Sequence, residues 1–224
     1  LNFSHKELLL FDFDGTLIDS VPDLAHALNH MLKTLNRETF KEDTIRFWVG
    51  NGAHTLVKRA LLGKNEIDDS LDETLFEDAL KIFLDFYTEN VCVYTLAYPG
   101  VVETIKTLQQ KGYILAIITN KPYAFINPIL EGLGMSECFT LLLGADSLAQ
   151  KKPHPQPLLY ACENLNIKIE NAIMVGDSKN DILAAHSAKM DSIGVSYGYN
   201  YGEHIEVYKP SLVVDNFMDI LERL

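Results

Sequence analysis

Two kinds of hydrophobic spacing alternate along this chain. Leu8-Leu9-Leu10-Phe11 is an unbroken apolar run that drives into Asp12-Phe13-Asp14-Gly15-Thr16. A short continuous run of this kind fits a strand buried on both faces. From Ser20 the spacing turns helical, with Leu24, Leu28, Met31 and Leu35 on one stripe. Ser20-Val21-Pro22-Asp23 reads as the helix start, with Ser20 capping, Pro22 in the first turn and Asp23 completing a capping box. A short piece over 44–49 leads into Gly50-Asn51-Gly52. A third helix then carries Ala53, Leu56, Ala60 and Leu61. After an acidic, polar connection over 63–72, a fourth helix runs over 73–90. Leu75, Ala79, Leu80, Phe83, Phe86 and Tyr87 lie on its apolar face. No strand pattern falls between Ser20 and Asn90.

Tyr98-Pro99-Gly100 is punctuation. Beyond it strands and helices alternate. The spacing predicts a helix over 101–111 stopped by Gly112, a strand over 113–119, and a helical stretch over 122–133 that Pro128 kinks or breaks. It then predicts a strand over 139–144, a helix over 156–165, a strand over 172–176 and a helix over 181–189. Late strands over 192–196 and 212–214 precede a closing helix near Leu224. Alternation of this kind predicts an α/β fold: a doubly wound parallel sheet, a Rossmann-like core, with an inserted all-helical cap domain. Residues 1–17 and 97–224 make the core and 18–96 the insert. In such sheets ligands gather beyond the carboxyl ends of the strands.

The chemistry of the chain collects at those ends. The first strand ends in Asp12 and Asp14, which as i and i+2 lean to one side. The second ends in Thr119-Asn120-Lys121, the third is followed by Lys151-Lys152-Pro153-His154-Pro155, and the fourth ends in Gly176-Asp177-Ser178 with Asn180 and Asp181 in the next turn. Singly, each has a plain reading as a turn, a surface loop or a helix cap. Together they put four carboxylates, a hydroxyl and several lysines on one rim, a set suited to phosphoryl transfer with a hard divalent cation.

Composition narrows the rest. A formal net charge of −12 without a basic run makes nucleic acid and anionic membrane poor partners. Cys92, Cys138 and Cys162 are scattered and have neither a disulfide framework nor metal-ligand spacing. No signal peptide or bilayer-length apolar run is visible, so a cytoplasmic protein is expected.

Asp12-Phe13-Asp14-Gly15-Thr16, Thr119, Lys152-Pro153 and Gly176-Asp177-Ser178-Lys179-Asn180-Asp181 resemble the four ordered motifs of the haloacid dehalogenase superfamily, and the insert resembles its small cap. Trp48-Val49-Gly50-Asn51-Gly52-Ala53, Thr119 to Pro122, Lys151 to Pro155 and Tyr197 to Gly202 narrow the resemblance to bacterial phosphoglycolate phosphatases. That resemblance implies magnesium-dependent hydrolysis of 2-phosphoglycolate, a small phosphorylated carboxylate, by a monomer or homodimer. It implies Asp12 as nucleophile, Asp14 as general acid and base, and Thr119 and Lys152 on the phosphoryl oxygens. The implied metal ligands are Asp12, Asp14 through its backbone carbonyl, and Asp177, with Asp181 in support. Gly15, Asn51, Gly52 and Asn120 are the candidate substrate contacts. Gly50-Asn51-Gly52 offers backbone N–H groups at a helix start to the substrate carboxylate, with Arg46, Lys58 and Arg59 nearby. A phosphosugar phosphatase or mutase of the same superfamily would keep all four motifs. A phospho-accepting signalling module would keep the rim, but an insert of roughly 80 residues, a small domain in itself, argues against it.

Overall fold

In the computed structural model, which describes residues 2–68 and 70–224, the alternation becomes β1 (Leu8–Phe11), β2 (Ile18–Asp19), α1 (Val21–Thr34), α2 (Glu42–Arg46), α3 (Ala53–Leu62), α4 (Glu73–Glu89), β3 (Leu96–Ala97), α5 (Val101–Gln110), β4 (Ile114–Ile118), α6 (Ile126–Gly132), β5 (Leu141–Leu143), α7 (Gln156–Asn164), β6 (Ala172–Gly176), α8 (Lys179–Ala188), β7 (Asp191–Val195) and β8 (Leu212–Val214). Six strands form one parallel sheet in the order β5-β4-β1-β6-β7-β8. The chain winds outward from β1 twice, first through β4 and β5, then through β6, β7 and β8. β1 is therefore the point where the order reverses, and a crevice opens above its carboxyl end.

The four residues of β1 are fully buried, as the apolar run requires. Leu9 and Phe11 join Leu115, Ile117, Ile173 and Val175 against α5 and α6, while Leu8 and Leu10 join Ala116, Ile118, Ala172 and Met174 against α7 and α8. Successive side chains leave a strand on opposite faces, so each central strand serves two hydrophobic layers.

A third cluster lies in the helical stretch. Leu28, Met31, Trp48, Val57, Phe76 and Phe83 gather there, together with Phe125 and Tyr199 from the core. Where the chain enters and leaves this stretch, β2 and β3 pair antiparallel, Ile18 opposite Ala97 and Asp19 opposite Leu96. Two residues per strand are too few to leave a periodic signal.

The start of α1 departs from the capping box expected there. Ser20 makes no side-chain cap. Its Oγ instead donates to Asp14 Oδ1 at 2.5 Å. The Asp23 carboxylate accepts from the backbone N–H groups of Val93, Tyr94 and Thr95 and from Thr95 Oγ1, at 2.7–3.0 Å. A carboxylate can satisfy several donors at once, and these three lie in the segment just before β3, so the distant partners displace the local one. Pro128 also behaves differently from expectation. It is the third residue of α6, where no intrahelical N–H bond is lost. The break falls earlier, between a 3₁₀ turn at Tyr123–Phe125 and α6. The closing helix is 3₁₀, at Phe217–Glu222.

Asp23 thus ties the first turn of the insert to its last residues. Asp23→Ala leaves the buried Thr95 N–H and hydroxyl without their acceptor and is expected to destabilise the protein by roughly 1–3 kcal/mol in urea unfolding, against less than about 1 kcal/mol for an exposed helix position such as Lys33→Ala.

Candidate active site

Four neighbouring strands, β5, β4, β1 and β6, deliver the rim. The Asp12 N–H donates to Val175 O at 2.9 Å and the Thr119 N–H to Leu143 O at 3.0 Å, so the sheet ladder fixes the backbone up to these side chains. Asp12 Oδ1 accepts from the Phe13 N–H at 2.7 Å and pairs with Lys152 Nζ at 2.9 Å. Lys152 Nζ also reaches Asp181 Oδ1 at 2.6 Å. Asp177 accepts from Thr16 Oγ1 at 2.7 Å and from the Tyr199 N–H at 2.7 Å. Asp181 Oδ2 accepts from the Ser178 N–H and hydroxyl, a capping box that opens α8.

Asp12, Asp177 and Asp181 each offer a carboxylate oxygen, all within 4.8 Å of one another. One ammonium, Lys152, answers three carboxylates. Burial, then the charge of Asp181, holds the Asp12 carboxyl well above the usual carboxylate range. Asp177 is pushed up to about 7 by burial and again by Asp181. Burial works against the Lys152 ammonium, but Asp12 and Asp181 outweigh it and raise its pKa. Hard oxygen donors carrying surplus negative charge suit a divalent cation. Space is held open for them by glycine. A Cβ at Gly15 or Gly198 would run into the Asp177 carboxylate, and one at Gly176 into Asp181.

The carboxylate of Asp14 stands apart from this triad. Its Oδ1 takes the Ser20 hydroxyl, and Lys121 Nζ lies 3.0 and 3.3 Å from its two oxygens. Asp12 and Asp14 nonetheless face one cleft, as their i, i+2 spacing predicted, together with Thr119, Asn120, Lys121, Gly50, Gly52 and Tyr87.

Of the expected substrate contacts, Gly52 and Asn120 line this cleft. Gly15 instead sits under Asp177. Asn51 is turned away: its Oδ1 accepts from Tyr201 Oη at 2.5 Å and from Arg59 Nη1 at 3.2 Å, and its backbone carbonyl from Lys151 Nζ at 2.8 Å. Its tight turn opens between core and insert, where these donors reach it first. Gly50 O is held likewise, by Asn120 Nδ2 at 3.2 Å and Asn180 Nδ2 at 3.1 Å. The Gly50-Asn51-Gly52 turn is thus clasped by the core. Arg46 pairs with Asp19 and Glu42, each at 3.0 Å, and Arg59 donates to Trp48 O and Asn65 O.

The stretch over 197–202 joins the same clasp. Tyr197 Oη donates to Thr16 O, Tyr199 Oη to Asp19 Oδ1 at 2.6 Å, and Tyr201 Oη to Asn51. Spacing alone missed Ser20 and Tyr87. Ser20 reads as a cap and Tyr87 as one more residue of an apolar stripe. The one available signal was the phenol hydroxyl itself, which when buried needs a partner.

This geometry meets a matching ancestry. The family model of haloacid dehalogenase-like hydrolases matches residues 9–195. The chain belongs to the haloacid dehalogenase-like hydrolases. It is 55% identical over 221 residues to a phosphoglycolate phosphatase of Colwellia psychrerythraea, covering 99% of this chain and 98% of that one. It is 49% identical to one of Psychrobacter arcticus, covering 98% and 96%. A crystal structure described as a predicted phosphoglycolate phosphatase from Haemophilus somnus superposes with a TM-score of 0.91 at 40% identity, covering 98% of each chain. The doubly wound parallel fold expected from the strand–helix alternation is the fold observed, and the family that the motifs resemble is the family matched.

The surplus charge carries a pH signature. An Asp177 carboxyl raised from 3.8 to about 7 keeps an extra proton on the folded, cation-free hydrolase between those values. Its contribution to stability is present below the lower value and is lost as the pH rises through the upper one. Asp177→Asn removes that loss. The melting temperature of the cation-free variant, relative to the parent, should therefore climb between about pH 4 and about pH 7 and level off above.

Proposed function

We propose that this protein is a magnesium-dependent phosphomonoesterase that hydrolyses 2-phosphoglycolate to glycolate and phosphate. The observation that carries the chemistry is the buried set of Asp12, Asp177 and Asp181 facing one Lys152 beside a small cleft. The substrate rests on the curated relatives in Colwellia and Psychrobacter that bear that activity in their names.

Asp12 is the nucleophile. The Phe13 N–H and Lys152 fix its Oδ1, which leaves the carboxylate oriented toward an incoming phosphorus. A carboxylate oxygen forms the new O–P bond as the bond to the glycolate oxygen breaks, giving an aspartyl-phosphate. Asp14 gives the leaving oxygen its proton. Asp14 then takes a proton from water, whose oxygen attacks phosphorus and releases Asp12 and orthophosphate. Thr119 and Lys152 bind phosphoryl oxygens. Asp12, the Asp14 carbonyl and Asp177 would hold magnesium, with Asp181 steering Lys152 and the metal edge. Magnesium held there would supply the positive charge that lets an anionic phosphate approach anionic carboxylates. Residues 18–96 act as a cap over the cleft, excluding water while the ester is cleaved.

Phosphate release with and without magnesium, across 2-phosphoglycolate, hexose phosphates, pyrophosphate and an aryl phosphate, tests the reading directly. A strong magnesium-dependent preference for 2-phosphoglycolate is expected. Turnover centred on a hexose phosphate would replace the substrate, and conserved phosphate with isomerised sugar would reveal a mutase. Asp12→Asn should lower kcat by roughly 10³-fold or more. Retained activity in that variant would end the Asp12 assignment. Lys152→Ala should be severe and Lys151→Ala mild. The reverse would place the phosphate-binding lysine one residue earlier.

A further inference from the structure

We propose that Tyr87 of α4 and Lys121 together bind the carboxylate end of the substrate, so that Tyr87 is a specificity-determining residue supplied by the helical insert. This rests on the 2-phosphoglycolate reading above. Apart from the backbone of Gly50 and Gly52, the wall of the cleft that the insert provides is otherwise apolar: Leu24, Val49, Ala53, Leu56 and Phe83. The cations that lie near it in sequence are turned elsewhere. Arg46 pairs with Asp19 and Glu42, Arg59 is spent on backbone carbonyls and Asn51, and Lys58 lies over the Phe76 ring at 4.5 Å. Asn120 Nδ2 is committed to Gly50 O and Lys152 O.

Tyr87 and Lys121 are different. Lys121 Nζ donates to Tyr87 Oη at 2.8 Å while lying against both oxygens of Asp14. Tyr87 Oη accepts that bond, and among the described residues none accepts the phenolic proton in turn. An ammonium has three protons. Here the two Asp14 oxygens and Tyr87 Oη take up all three, so what Lys121 adds to the cleft is its positive charge. The pair therefore presents a phenol proton and, beside it, an ammonium charge to the cleft, next to the carboxylate assigned to the leaving oxygen. In 2-phosphoglycolate the carboxylate lies two carbons along from that oxygen, within reach of a group that touches Asp14.

The phenol is suited to the task. Burial pushes its pKa up to about 12, against the nearby Lys121, so it stays a donor. Its ring is fixed between Phe83, stacked at 5.8 Å, and Phe125, edge-on at 4.8 Å. The apolar side chains of the wall offer sugar hydroxyls no partners, so the same surface that admits a small carboxylate disfavours polyhydroxylated esters.

The experiment compares kcat/KM for 2-phosphoglycolate with that for ethyl phosphate, which lacks the carboxylate, in the parent, Tyr87→Phe and Lys121→Met. Tyr87→Phe keeps the ring packing and should lower the ratio about tenfold or more, the usual effect of deleting a hydrogen bond to a charged group. The drop should appear mainly in KM for 2-phosphoglycolate, with the melting temperature unchanged. Lys121→Met should lower the ratio further. A high parent ratio that both variants keep within about twofold would overturn the inference and assign the carboxylate to backbone N–H groups at the start of α3. A parent ratio near one would overturn the substrate reading itself, and the inference with it.

Discussion

One ammonium against three buried carboxylates is the constraint around which the core is built. Lys152 is 2% exposed and touches both Asp12 and Asp181, while Asp177 closes the group with its own donors from Thr16 and Tyr199. Isolated buried carboxylates are expensive, and the structure reduces that expense without removing it. The Thr16 and Ser178 hydroxyls and the Phe13, Ser178 and Tyr199 N–H groups each face one acid, yet Asp12 and Asp177 still hold their protons more tightly than usual. The charge that remains uncompensated is the chemical reason a divalent cation fits. It also explains the glycines: Gly15, Gly176 and Gly198 give up side chains where the carboxylates need the volume.

The helical insert is joined to this core by contacts of another kind. Its entry and exit are bound by the β2–β3 pair and by Asp23, which gathers three consecutive backbone donors. Across the opening, Asn120, Lys151 and Tyr201, from three core loops, and Asn180, from the first turn of α8, reach the Gly50-Asn51-Gly52 turn. Each bond is modest by itself. Their common dependence on a single turn means that the insert and the rim share one geometry, and Lys121, between Asp14 and Tyr87, places a group of the insert beside the core's acids.

Much of this architecture is legible in the residues alone because its causes are local. Periodicity separates strands buried on both faces from amphipathic helices, and the order of the elements compels parallel pairing with helices on either side. The clustering of Asp12, Asp14, Thr119, Lys152, Asp177 and Asp181 is legible too, since successive strand ends of such a sheet share one edge. The roles of Ser20, Asp23, Asn51 and Tyr87 are not. Each has a good local reading, as a cap, a capping partner, a loop anion site and a core aromatic. Each is claimed instead by a partner 6 to 150 positions away.

By itself, then, the sequence determined the doubly wound core, the all-helical insert after the first strand and the acids and lysine that meet at the rim. All of these follow from repeating patterns and from strand geometry. Only the tertiary structure decided how the charges pair, which way the Gly50-Asn51-Gly52 turn is spent and which side chains of the insert face the cleft. A hydrogen-bonding group takes the partner that burial brings within about 3 Å, and linear spacing does not carry that distance.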